Sequence, residues 1–256
     1  MFNWLFHPST PPYPLLDMHS HVLPGIDDGA AHVEESVALI RAMWQLGYRQ
    51  WVATPHVMAD LHPNTPGRIG EAANELNRAL ANTPDLADVQ VRAAAEYMLD
   101  EQFEHLLDSG EALLCLDDQQ HLLVELPQAG ELPRWEYTLF TLQTRGYRPV
   151  LAHPERYRYL SGDFERLERL RDSGVALQAN LISFAGYYGA GPEKMAKELL
   201  RRKLLDFAGT DVHHQRHIAP LKALVGSKAG RNIGAYAWRN AELQSLAAPK
   251  NAGAAL

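Results

Sequence analysis

Along this chain short apolar runs alternate with longer stretches in which apolar residues recur at helical spacing. The apolar run Tyr13 to Leu16 predicts a first strand, stopped by the Pro24-Gly25 turn a few residues on. Val33, Val37, Leu39, Ile40, Met43, Trp44 and Leu46 then mark a helix that Gly47 closes. Gln50 to Thr54 predicts a strand, and Arg68 to Leu80 a helix amphipathic through Ile69, Ala73, Leu76 and Leu80. The pattern continues with a strand over Val89 to Ala95, a short helix over Asp100 to Leu107 with Asp100 as N-cap, and a strand over His121 to Val124. Pro133 to Arg145 reads as a helix, Pro149 to Ala152 as a strand, Phe164 to Gly174 as a helix and Val175 to Ala179 as a strand. A helix over Pro192 to Lys203 precedes a last strand over Leu205 to Ala208. Ile218 to Val225 and Tyr236 to Leu246 are the final predicted helices, and the small-residue stretch Ala247 to Leu256 is expected to be poorly ordered.

Strands separated by helices imply parallel pairing through right-handed crossovers. The polar residues fall at the strand ends. Strand one runs out at His19 and His21, strand two at His56, strand three at Glu96 and strand four at Glu125. Strand five ends at His153, strand six at Asn180, and strand seven at Asp211 and His213. In a barrel of parallel strands all carboxyl ends meet at one mouth, whereas an open sheet spreads them along a line. A ring of seven contributors needs closure, so the expected fold is α/β, a distorted (β/α)7 barrel over a single domain.

The 256 residues, 46% hydrophobic and 21% charged, describe a globular chain with room for a sizeable core. Its 24 basic and 31 acidic residues leave a net charge of −7, which argues against a nucleic-acid partner. The single cysteine, Cys115, excludes an internal disulfide framework and suits a reducing compartment. No stretch reaches the roughly 20 apolar residues of a membrane span. Residues 1 to 14 carry Phe2, Trp4, Leu5 and Phe6 but no basic segment, and four prolines interrupt them, so an apolar arm is expected rather than a signal peptide. The expected location is the cytoplasm. A homo-oligomer is compatible with all of this.

The histidines and carboxylates supply the chemistry. His19 and His21, two apart on a strand, point to one face. With His56, His153 and His213 they make five imidazoles, joined by the carboxylates of Asp28, Glu96, Glu125 and Asp211. Nine such donors without a thiolate suit manganese, iron or zinc, and exceed what one ion can use, so two or three divalent ions are implied. Such a cluster lowers the pKa of bound water to about 7 and provides a nucleophile near neutral pH. The bland alternatives are backbone capping by His56 or His153, and pairing of Glu96 or Glu125 with Arg49, Arg92 or Arg148. A carboxylate at the end of an apolar strand is costly unless paired or bound to metal. Arg156, just past His153, has the fork geometry to grip a phosphate, against the alternative of a surface pair with Glu155 or Asp163. Cys115 lacks the following arginine of a Cys-x5-Arg phosphate loop, and no G-x-x-x-x-G-K-[ST], G-x-G-x-x-G or G-x-S-x-G motif occurs.

Asp17-Met18-His19-Ser20-His21, Gly25-Ile26-Asp27-Asp28-Gly29, Ala53-Thr54-Pro55-His56, Glu96-Tyr97, Val124-Glu125-Leu126-Pro127, Ala152-His153-Pro154-Glu155-Arg156-Tyr157 and Gly209-Thr210-Asp211-Val212-His213 together resemble the polymerase-and-histidinol-phosphatase (PHP) superfamily. More narrowly they are similar to its bacterial protein-tyrosine phosphatases encoded with capsule and exopolysaccharide genes. The resemblance implies a distorted seven-stranded barrel around a trinuclear centre, usually of manganese type. His19, His21, Glu96 and Asp211 would hold one ion, Glu96, Glu125 and His153 a second, and Asp28, His56 and His213 a third, with Arg156 as phosphate clamp. The family's second phosphate-binding arginine lies slightly further past the last Asp-x-His than Arg216 does, so this chain departs from the pattern there. The implied substrate is phosphotyrosine on a tyrosine autokinase, hydrolysed without a phosphocysteine. A histidinol-phosphatase-like or other small-molecule phosphoesterase is the nearest rival. A metal-binding regulatory module without turnover is a rival of another class, and a DNA exonuclease role is disfavoured by the acidic charge.

Overall fold

The structure, a computed structural model, describes residues 14–245. The apolar arm, the start of the first predicted strand at Tyr13 and the C-terminal stretch therefore lie outside the described residues.

Nine strands and eight α-helices are described. They run β1 (Leu16–Asp17), α1 (Val33–Gln45), β2 (Gln50–Ala53), β3 (His56–Val57), α2 (Pro66–Ala81), β4 (Val91–Ala93), β5 (Glu96–Met98) and α3 (Glu101–Ser109). There follow β6 (His121–Glu125), α4 (Trp135–Thr144), β7 (Arg148–Ala152), α5 (Phe164–Asp172), β8 (Ala176–Asn180), α6 (Ala190–Arg202), β9 (Phe207–Gly209), α7 (Ile218–Leu224) and α8 (Lys228–Gly234). Local sequence explains the starts: Thr65 caps α2 ahead of Pro66, Asp100 caps α3, and Asp163 caps α5.

All pairings between these strands are parallel, in a three-stranded sheet β1-β2-β4 and a six-stranded sheet β3-β5-β6-β7-β8-β9. Two predicted strands, Gln50 to Thr54 and Val89 to Ala95, are each followed after a two-residue break by a second short strand beyond the predicted end, β3 and β5, which raises the count from the expected seven to nine. The breaks fall at Thr54-Pro55, where proline has no N–H for a ladder, and at Ala94-Ala95. Pairing nevertheless carries across them, since Ala94 N–H donates to Ala53 O (2.8 Å) and Glu96 N–H to Pro55 O (3.0 Å). The result is a mixed α/β fold around a curled parallel sheet.

The sheet's free edges, β1 and β9, approach each other. Ser20 and Val212 form a parallel bridge, His21 N–H donates to Val212 O (2.9 Å) and Asp211 N–H to His19 O (2.8 Å). At the other end of this seam the buried Asn240 amide donates to Leu16 O (3.2 Å) and Ala208 O (2.7 Å) and accepts from Ala208 N–H (3.0 Å). That role accounts for a miss. A helix was predicted over Tyr236 to Leu246, but Asn240–Ser245 is a 3-10 turn, and a helix forms earlier as α8 behind the Ser227 cap.

Strand residues alternate between two apolar clusters, as a period of two requires. Leu122, Val124, Leu151, Leu177 and Ala208 face the helices, while Leu123, Val150, Ala152, Ala176 and Phe207 fill the concave side with Leu16, Met18 and Val52. The apolar fill ends where the strands end, and the polar cluster sits on top of it. Among the described residues no helix is long and apolar enough to cross a membrane.

Candidate metal centre

The strand ends, with the loop between β1 and α1 that carries Asp28, bring all nine predicted donors together. His19 Nε2 and His21 Nε2 lie 3.3 Å apart, and each faces Glu96 Oε2 (3.3 and 3.4 Å) and Asp211 Oδ1 (3.5 and 3.4 Å). Separations near 3.4 Å are those along the edge of a tetrahedron whose bonds are about 2.1 Å long. His153 Nε2 stands 3.0 Å from Glu96 Oε1 and 4.0 Å from Glu125 Oε2, and His56 Nδ1 stands 2.7 Å from Glu125 Oε1. On the outer side, Asp28 Oδ1 faces His56 Nε2 (3.5 Å) and His213 Nε2 (3.3 Å). Four groups result, each with donor atoms within 4.8 Å of one another: His21-Asp28-His56-His213, His19-His21-Asp211, His19-Glu96-His153 and His56-Glu96-Glu125. They share members, so the cluster is continuous.

The bland alternatives fail on geometry. His56 and His153 point into the cluster instead of capping backbone. Arg49 donates to Trp44 O and Tyr48 O, Arg92 to Leu116 O and Leu243 O, and Arg148 to Gln119. None of these contacts reaches Glu96 or Glu125. Glu155 accepts from Asn180 N–H and Ser183, and Asp163 caps α5, so neither takes Arg156.

Several observations test whether the donor set suits cations. Glu96 Oε2 is buried against three imidazole nitrogens, His19 Nε2 (3.3 Å), His21 Nε2 (3.4 Å) and His56 Nδ1 (3.2 Å), and His153 Nδ1 is buried with no hydrogen-bond partner. His153 and Asp211 hold left-handed backbone (φ 36° and 53°), a conformation that costs a non-glycine residue roughly 1–3 kcal/mol. Gly209 admits no side chain, since a Cβ there would sit 2.5 Å from the His19 Cβ. Burial alone would raise Glu96 and Asp211, yet the charge of His19 and the surrounding imidazoles hold both well below the usual carboxylate range. Burial opposes charge on His56 too, and Glu125 and Glu96 still push it up to about 9. The site thus favours positive charge held between its carboxylates. Imidazole and carboxylate donors without thiolate, with ring nitrogens and carboxylate oxygens crowded within 3.5 Å of one another, fit a cluster of divalent cations.

Residues outside the nine predicted donors orient them, and of these only Asn180 stood among the strand ends read from the sequence. Asp27 Oδ2 meets His21 Nδ1 at 2.8 Å, its other oxygen accepts from Gly29 N–H, and its pKa is pulled down to about 2 by the His21 charge against burial. Gln178 Oε1 meets His19 Nδ1 at 2.9 Å and donates through its amide to Asn180 Oδ1, while Asn180 Nδ2 donates to Asp211 Oδ2 (2.5 Å). Outer partners of this kind fix ring orientation at metal sites. The available signal was the spacing of two polar residues, Gln178 and Asn180, two apart in an apolar strand.

Arg156 Nη1 donates to Asp211 Oδ2 (2.9 Å), and its guanidinium lies 4.3 Å over the Tyr188 ring, whose hydroxyl donates to the same oxygen (3.1 Å). With Gln128 turned to accept, the remaining edge of Arg156 donates to it (2.7 and 3.2 Å). Arg156, Asp28, His56, Glu125 and His213 line a cavity of about 570 Å³ open to solvent. Arg216 is exposed and does not line it, whereas His214 and His217 do.

Residues 15–236 match the model of the capsular polysaccharide synthesis CpsB/CapC family. The chain belongs to this family. Among curated CpsB/CapC relatives, the tyrosine-protein phosphatase YwqE of Bacillus subtilis is 33% identical over 201 residues, 78% of each chain. The tyrosine-protein phosphatase CpsB of Streptococcus pneumoniae is 27% identical over 207 residues, 78% of this chain and 83% of that one. A crystal structure from the pair YwqE of Bacillus subtilis and CpsB of Streptococcus pneumoniae, described as metal-dependent tyrosine phosphatases, superposes with a TM-score of 0.72 at 32% identity. It covers 84% of this chain and 89% of that one.

Proposed function

We propose that this chain is a metal-dependent protein-tyrosine phosphatase that hydrolyses phosphotyrosine, acts in the cytoplasm and serves capsular or exopolysaccharide synthesis. Its substrate in this reading is the tyrosine-rich tail of a bacterial tyrosine autokinase. The observation that carries it is the convergence of nine imidazole and carboxylate groups in one continuous cluster, four of which, Asp28, His56, Glu125 and His213, line an open cavity. We read the curled sheet as a distorted seven-position (β/α)7 barrel over a single domain, its split strands each counting once.

His19, His21, Glu96 and Asp211 would hold one ion, Glu96, Glu125 and His153 a second, and Asp28, His56 and His213 a third, with manganese first among the metals and iron or zinc as the others. Bound there, divalent cations supply a hydroxide nucleophile near neutral pH and neutralise phosphate oxygens. The chain's own groups do the rest. Asp27 and Gln178 fix the ring nitrogens that face the centre, so each imidazole presents Nε2. Tyr188 holds the Arg156 guanidinium flat beside Asp211, where its planar fork can exchange the Gln128 carbonyl for two oxygens of a phosphate. No general acid is needed on the leaving side to the extent an alkoxide would require, because a tyrosine phenolate leaves with a pKa near 10. No thiol lines the cavity, in keeping with a route without phosphocysteine.

The test is hydrolysis of a phosphotyrosine peptide by His153→Ala and Arg156→Ala variants whose far-UV circular dichroism matches the parent. Both are expected to lose most activity; undiminished rates would refute the assignment. Comparing kcat/KM for histidinol phosphate and the peptide separates the small-molecule rival, and metal analysis of protein purified without chelator identifies the ions.

A further inference from the structure

The phosphate end of the cavity accounts for its floor but not for its rim. Two unlike walls rise from it. On one side stand Met58, Met98 and Pro127, delivered by β3, β5 and the segment after β6; on the other stand Tyr187 and His217, delivered by the segments after β8 and β9. The sheet order puts these groups of strands on opposite sides of β7, which brings Arg156 between them.

Both walls are built rigid. Tyr187 follows a 3-10 turn (Leu181–Ala185), between Gly186 at φ 75° and Gly189 at φ 94°, backbone that only glycine adopts without strain. Its ring packs edge-on against His217 (4.6 Å, 78°) and against Tyr188 (5.2 Å, 83°). Yet it stays 38% exposed, one of the few large apolar side chains left open to solvent among the described residues. Opposite, Met58 and His62 exchange both backbone hydrogen bonds (3.0 and 3.1 Å), and Ala59 N–H donates to Asp100 Oδ2 (3.0 Å), which pins the Met58 hairpin to the start of α3. A thioether wall facing a fixed aromatic wall suits a planar ring between them, since sulfur and ring-edge contacts both favour π faces.

Resting on the phosphatase reading above, the geometry points to an aryl-binding slot in which Met58 and Tyr187 grip the substrate's aromatic ring and so select aryl over alkyl phosphates. Tyr187 and Met58 are specificity-determining residues in it. The slot acts on binding, separately from the easier departure of a phenolate, so the test uses ligands with no leaving group. Benzylphosphonate and ethylphosphonate present the same anion with and without a ring, and their affinities for the protein supplied with manganese(II) can be measured by calorimetry.

The parent is expected to bind benzylphosphonate on the order of tenfold more tightly than ethylphosphonate. Tyr187→Ala is expected to cut that ratio by about fivefold, through benzylphosphonate alone. Met58→Ala, on the opposite wall, gives a second reading by about threefold and covers the case in which the first variant does not fold. A parent without preference, or variants in which the ratio is unchanged, would overturn the slot. If the ratios behave as expected but phosphotyrosine peptide is not hydrolysed, the proposed function falls and the slot stands. If the peptide is hydrolysed and the ratios are flat, only the slot falls.

Discussion

Strand β6 carries a buried ionisable residue at each end, His121 where it starts and Glu125 where it stops, both on the concave face. At the floor, His121 Nδ1 meets Asp117 Oδ2 at 2.7 Å, and the other Asp117 oxygen accepts from the backbone of His121 (3.0 Å) and Gln119 (3.1 Å). Its ring stands edge-on to Phe207 at 5.7 Å. Residue types are the same at the mouth, but there one carboxylate, Glu96, is shared among four imidazoles. A histidine–carboxylate pair closed on itself belongs to the fold. A cluster that cannot close on itself, built on left-handed backbone at His153 and Asp211, is held open for something else.

The contrast breaks most readily at Glu96, which faces His19, His21, His56 and His153 at once. Glu96→Gln keeps the volume and removes the charge. It is expected to lower phosphotyrosine peptide hydrolysis at least about a hundredfold, beyond what the loss of an outer partner costs, with bound metal reduced and the fold intact. A variant with full activity and lowered stability would place Glu96 with the floor residues. Next in size is Gln178→Ala, which frees the His19 ring while leaving all nine donors; a manganese titration should show affinity weaker by about 10–100-fold.

At the floor the expected effects move from activity to stability. His121→Ala leaves the buried Asp117 Oδ2 without its hydrogen-bonding ring and should cost about 3 kcal/mol, seen as a Tm lower by roughly 10 °C with metal content unchanged. Asn240→Ala strips three hydrogen bonds from the β1–β9 seam and should cost about 2 kcal/mol by denaturant unfolding. Loss of metal in either variant, at temperatures where it stays folded, would mean that floor and mouth are coupled more tightly than their separate bonding suggests.

The mouth was legible in the sequence because every donor but Asp28 follows an apolar strand, so position along the chain already stood for position in space. Its supports were not, because they act across strands: Gln178 reaches His19 and Asn180 reaches Asp211 from far away in the chain, and nothing local to Gln178 names its partner. Asp27 sat in a motif whose neighbour Asp28 drew the attention, although Asp27 is the one bound to His21. Pro55 marked the end of the second strand but not the short strand that resumes beyond it, and the break at Ala94-Ala95 carried no comparable signal. Arg156 lines the cavity, but its stacking on Tyr188 depends on a turn between two glycines that periodicity does not read.

The smallest expected effect concerns Cys115, which precedes β6 and is not among the donors of the mouth. Its sulfur reaches only Leu113 O and Gln120 Oε1, each at 3.6 Å, and burial pushes its thiol up to about 12. A raised thiol pKa favours the neutral form in the folded state, so its stabilising contribution is whole below the ordinary thiol value of about 8.5 and drains away as pH climbs towards 12. At pH 8 the thiolate fraction is then ~10⁻⁴, which makes for slow alkylation and a poor nucleophile. Iodoacetamide at that pH should leave hydrolysis of a phosphotyrosine peptide unchanged, as should Cys115→Ser. Rapid inactivation by the reagent, protected by phosphate, would instead bring the thiol into the reaction and remove the reason for reading the nine donors as its catalytic machinery.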